Sequence, residues 1–166
     1  MRYIAVAVLL LGSQILGAAA TEPVVVNNVR GFPSVLTRFW VTQAVEGAAR
    51  RMRTPECARV FTDFTDADGR PLAEQLGKLG VAPDEYLLTR VWFYEGRSRP
   101  FCDPKFDRDA LTQPGSKVVF ICSDQFIRDE HQRETNIIHE MLHSLGLGEN
   151  PPSSREITQR VKRRCG

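Results

Sequence analysis

Hydrophobic spacing along this chain switches repeatedly between helical and strand periods, and the elements it predicts make an α+β scaffold. From Ser34 to Arg53, Leu36, Trp40, Ala44, Ala48 and Met52 recur on one helical face, and Pro55 follows just beyond. That pattern predicts the longest helix. Before it, Val24-Val25-Val26 is a short apolar run, extended or opening a strand. Val60-Phe61-Thr62-Asp63-Phe64 reads as a strand, and Asp66-Ala67-Asp68-Gly69 as the turn after it. Pro71 to Leu79 suggests a short helix, and Leu87 to Tyr94 a strand rich in β-branched and aromatic residues. Residues 96–116 carry three prolines and two glycines, which predicts a long irregular connection. Lys117 to Cys122 reads as a buried strand. Helical periodicity returns over Glu134 to Leu145, where Ile138, Met141, Leu142 and Leu145 form a stripe able to bury against a sheet. Gly146 and Gly148 end that helix. After Pro151-Pro152, Ser153 and Glu156 fit a capping box that opens a terminal helix through Arg164. The sequence contains no internal repeat and no low-complexity tract.

The first 20 residues change the picture of where the chain works. Arg2 supplies a positive start, residues 3–11 an apolar core, and Ala18-Ala19-Ala20 a small-residue cleavage pattern, as in a secretory signal peptide. The core is short for a membrane span and is broken by Gly12, Ser13 and Gln14, so an uncleaved anchor is the weaker alternative. Cleavage would leave residues 21–166 as a single domain, secreted or periplasmic and without stable membrane insertion. Four cysteines in an exported chain point to two disulfides. Three pairings are open; the favoured one joins Cys102 to Cys122, fastening a loop to a strand, and Cys57 to Cys165, tying the tail to the first helix. No C-x-x-C pair argues for structural zinc.

Charge adds little. Lysine plus arginine number 22 against 20 acidic residues. The cluster Arg160, Lys162, Arg163 and Arg164 also suits a helix C-terminus, whose dipole favours cations, and it lacks interleaved aromatics. A nucleic-acid partner is not expected. The turn at Asp66 to Gly69 is not read as a calcium loop, because Phe64 occupies the first ligand position and no glutamate closes twelve residues.

Candidate chemistry sits in His139-Glu140-Met141-Leu142-His143. Residues four apart share a helical face, so both imidazoles can reach one metal ion, while Glu140 lies about 100° around the helix. There it can approach an activated water without being a ligand. This H-E-x-x-H arrangement is the one in which zinc activates water and the glutamate takes its proton. The other histidine, His131, lies eight residues earlier, about 12 Å of helical rise, too far to share the ion. Asp103, Asp107, Asp124 and Asp129 are not indicated by spacing.

Counting on gives His139-x-x-x-His143-x-x-Gly146-x-x-Glu149. In this stretch, residues 129–150, the chain resembles the zincin metallopeptidases, and within them the metzincins. It departs from metzincins in carrying glutamate where they have histidine or aspartate, and no methionine follows Met141 to make their methionine turn. The resemblance implies one catalytic Zn²⁺ held by His139, His143 and Glu149, with Glu140 as general base in peptide-bond hydrolysis. It implies a small zincin-like fold: a twisted, mainly antiparallel sheet backed by the long N-terminal helix and the H-E-x-x-H helix. It implies, too, a peptide or protein substrate pairing with an edge strand drawn from between Leu87 and Cys122. Tyr86, Tyr94 and Arg155 are candidate oxyanion donors. A monomer is expected. The competing readings are a zincin-like module without catalysis, and a metal-free secreted domain held by disulfides.

Overall fold

The computed structural model describes residues 25–127 and 129–166, so the leader expected over residues 1–20 lies outside the described residues. The chain runs β1 (Val29–Arg30), α1 (Val35–Met52), α2 (Pro55–Ala58), α3 (Val60–Asp63), α4 (Leu72–Leu79), α5 (Pro83–Arg90) and β2 (Trp92–Glu95). Two 3₁₀ turns, Pro100–Cys102 and Pro104–Phe106, lead to β3 (Ala110–Thr112) and β4 (Val118–Ile121). A third, Asp124–Ile127, leads to α6 (Glu130–Ser144), and α7 (Ser154–Cys165) closes the chain.

This is an α+β fold with a sheet ordered β1-β2-β4-β3. The expected antiparallel character is corrected. β1 with β2 and β2 with β4 are parallel, and only β3 runs antiparallel, against β4. Parallel neighbours need a long crossover, which α1 to α5 supply between β1 and β2. One sheet face carries Phe93, Val119 and Ile121 into the core, which α1 and α6 complete by packing on each other. The opposite face, with Trp92, Tyr94, Val118 and Phe120, stays partly open. β4 is therefore buried on alternate residues only, not throughout.

The ends of α1 match their sequence signals. The Ser34 hydroxyl accepts from the Thr37 N–H as N-cap. Of the expected stripe, Ala44, Ala48 and Met52 are buried, with Val41, Val45 and Ala49 beside them, whereas Leu36 is 60% exposed. Gly47 faces α6 so closely that a Cβ there would fall 1.8 Å from Glu134 Oε1. Glu134, itself buried, pairs with Arg51 on α1, and Arg51 also bonds His131 Nδ1 at 2.7 Å. His131 thus belongs to the α1–α6 seam, away from the other two histidines.

Two expected strands are corrected to helix. Val60 to Asp63 forms α3, and Val60, Phe61 and Phe64 are buried at a helical spacing of 0, 1 and 4. Residues 83–90 form α5, begun by Pro83 in its first turn with Asp84 and Glu85 beside it, favourable at a helix N-terminus. Only Trp92 onward is strand. The connection 96–116 contains β3 and two 3₁₀ turns. As expected, α7 opens on a capping box of Ser153 and Glu156.

Both favoured disulfides are present, Cys57–Cys165 and Cys102–Cys122. The first ties α7 to α2, and the second ties the Pro100–Cys102 turn to the end of β4. Two disulfides suit an extracellular protein. Among the described residues, no helix is long and apolar enough to cross a membrane.

Candidate metal centre

The site is assembled from one helix and the turn that ends it. Asp129 caps α6, accepting from the Gln132 N–H at 3.1 Å. The helix then carries His139, Glu140 and His143 to a place where all three are buried. At its C-terminus the Gly146 N–H reaches the His143 carbonyl and the Leu147 N–H the Leu142 carbonyl, a Schellman turn with Gly146 at φ 109°. An L side chain disfavours that angle, so glycine fits the position. Tyr86 and Lys117 close the same end: the Lys117 ammonium donates to the Ser144 carbonyl at 2.9 Å, placing a cation at the negative pole of the helix.

That turn reaches back to the histidines. Leu147 is buried, and its carbonyl lies 2.7 Å from His143 Nδ1. A carbonyl only accepts, so Nδ1 must carry the proton, and in a neutral ring Nε2 then presents its lone pair. His139 Nδ1 meets the Thr158 hydroxyl of α7 at 3.0 Å. With both Nδ1 atoms engaged, the two Nε2 atoms face each other 3.0 Å apart. The Thr158 hydroxyl can donate or accept, so His139 Nε2 either gives a hydrogen bond to the His143 lone pair or offers a second lone pair to a cation between the rings.

Glu149 completes the group. Its Oε1 is 3.3 Å from His143 Nε2 and 3.6 Å from His139 Nε2. A tetrahedral ion with bonds of 2.0–2.1 Å has ligand atoms about 3.3 Å apart, and the three separations straddle that value. The donor set, two imidazoles and a carboxylate, is that of a three-ligand catalytic zinc site with an open position. Contact with His139 is the main cause holding the Glu149 carboxyl below the usual range; burial opposes it. Among the described residues this is the one cluster of metal-type side chains. Asp129 is a helix cap, the Asp103 carboxylate accepts from the Lys105 N–H, and Asp124 pairs with Arg97, so none of them joins it.

Glu140 stands beside the trio in a cleft of about 710 Å³ that also takes in His139, His143 and Glu149. It is 7% exposed, and its Oε2 has no hydrogen-bond partner. Burial pushes its carboxyl pKa up, against the pull of His139 and His143. The buried Thr112 hydroxyl lines the same cleft and faces the Glu140 carboxylate, also favouring its charged form.

Sequence reasoning missed several residues here. Thr112 and Thr158 carry no local signal, since they reach the site from β3 and α7, whereas the Leu147 carbonyl comes with the turn that Gly146 marks. The three candidate oxyanion donors are not among the residues lining the cleft. Tyr86 is fully buried, with its hydroxyl engaged by Ser144 and Lys117. Tyr94 packs against Phe120, and Arg155 is exposed on α7. The edge strand is β3, inside the segment expected to be irregular.

Searches of protein-family models, curated proteins and solved structures returned no match to this chain.

Proposed function

We propose that the protein is an exported zinc-dependent peptidase of the zincin type, with His139, His143 and Glu149 as metal ligands and Glu140 as general base. The observation that carries this reading is the spacing of the three donor atoms around one point, beside a buried carboxylate oxygen with no partner. When bound, zinc would supply Lewis acidity toward a substrate carbonyl and toward a water, whose pKa in such sites is about 7. Glu140 takes a proton from the attacking water and returns it to the departing amine. Thr158 and the Leu147 carbonyl keep both rings oriented, the role outer partners play for metal-binding histidines.

Substrate main chain has an edge to join. Cys122 donates to the Asp109 carbonyl, so by antiparallel alternation Leu111 pairs with Phe120. The main-chain groups of Ala110 and Thr112 then point away from β4, free to bond an added strand. Export fits the two disulfides and the apolar leader read from the sequence, and the secreted form should begin at or near Thr21.

Hydrolysis of unstructured casein tests the reading. The zinc-supplied protein should cleave it, and Glu140→Gln should cut turnover by about 10²–10⁴-fold while retaining metal and fold. Zinc bound without Glu140-dependent cleavage would leave a metal-binding module in place of an enzyme.

A further inference from the structure

The cleft extends well beyond the metal ligands, onto the other face of β3. Thr112 belongs to the sheet face that meets α6, together with Val119, its partner on β4. Leu111 and Phe120 are directly opposite in register and lie on the other face. Phe101 packs on Phe120 there, with ring centroids 4.9 Å apart. Its neighbour Cys102 is bonded to Cys122, so a disulfide holds this ring beside the strand. Leu111, Phe120 and Phe101 are all partly open to solvent, and all line the same cleft as His139 and Glu140. The cleft therefore wraps the free edge of β3, with buried polar groups on one side and an aromatic wall on the other.

An occupant that hydrogen-bonds to Ala110 and Thr112 is an extended chain, and its side chains alternate between the two faces. Every second one points to the side of Leu111 and Phe120. We propose that the cleft selects extended polypeptide carrying a large apolar side chain, aromatic above all, on that face, seated against Phe101, Leu111 and Phe120. Offset or edge-on packing of a further ring on this wall is the favourable geometry for aromatic pairs. This inference rests on the peptidase reading only in taking the bound peptide as substrate.

The test uses the zinc-supplied Glu140→Gln protein, which should bind without turnover. Two blocked, labelled alanine-rich peptides of equal length, one with a central phenylalanine and one with alanine there, are titrated by fluorescence anisotropy. The phenylalanine peptide should bind about 10- to 100-fold tighter, the usual discrimination of an apolar pocket. That preference should collapse in Phe101→Ala and, as a second probe on the strand, in Leu111→Ser. Circular dichroism should be unchanged in both. Equal affinity for the two peptides, no measurable binding of either, or a preference untouched by both variants would overturn the proposal. Preferential binding without casein cleavage by the wild-type protein supports the subsite and sinks the peptidase. Cleavage at sites with no aromatic or large apolar bias does the reverse.

Discussion

At the scale of residues, the site depends on a short chain of causes that begins in one turn. Gly146 adopts φ 109°, the Leu147 carbonyl comes under His143, and the proton on Nδ1 frees Nε2 as a donor. Glu149 follows three residues later, still 38% exposed at its side chain. A half-open carboxylate can be removed with little harm to packing, so Glu149→Ala should lower zinc affinity and activity sharply while leaving thermal unfolding nearly unchanged. Glu149→His should recover part of the affinity, because imidazole is an ordinary zinc ligand of different reach. Competition against a chelator measures both. Alanine with wild-type affinity would move the third ligand elsewhere. This much was legible: His139, Glu140 and His143 are set by helical period, and Glu149 by a glycine turn. Thr158 and Thr112 were not, because tertiary packing brings them there.

Among elements, the seam between α1 and α6 gives a prediction whose sign separates packing from propensity. Replacing glycine by alanine inside a helix ordinarily stabilises it by about 0.5–1 kcal/mol. At Gly47 the new Cβ would fall 1.8 Å from the buried Glu134 carboxylate, which is held by Arg51. Gly47→Ala should therefore destabilise, by about 1–3 kcal/mol as for overpacked cores. Urea unfolding decides; a stabilised variant would mean that the seam is looser than described. The docking of α7 on α3 has a pH signature. Arg164, and less strongly Arg160, bonds the Asp63 carboxylate and holds its pKa below the ordinary value, against desolvation. A carboxyl depressed in the folded state stabilises above its unfolded pKa near 3.9, and that contribution is lost as pH falls through the lowered folded value. Asp63→Asn should cost about 1 kcal/mol at pH 7, with the gap to wild type closing in strong acid. A gap that persists there would contradict the ion-pair account. Elements with several signals at once were readable: α1 from its length and the proline beyond it, α7 from its capping box. Val60 to Phe64 was not, because a five-residue apolar run fits helix and strand equally. The acidic first turn after Pro83 did announce α5, but the β-branched and aromatic residues downstream obscured it.

For the whole molecule, a small sheet and two central helices are closed at both ends by covalent bonds. Cys57–Cys165 spans 108 residues and fixes α7, which carries Thr158 to His139. Cys102–Cys122 fixes the aromatic wall against β4. The parallel pairings that displaced the expected antiparallel sheet were beyond local pattern, since register between distant strands is settled only when the crossover packs. What gives the molecule a function on this account is a single metal ion at His139, His143 and Glu149. The most direct test is zinc analysis of the purified protein after saturation and exhaustive dialysis, beside the His139→Ala/His143→Ala double variant. The account predicts one zinc per chain in the wild type and none in the double variant, with circular dichroism preserved in both. Wild-type protein without zinc, or a double variant that retains it in full, would contradict it.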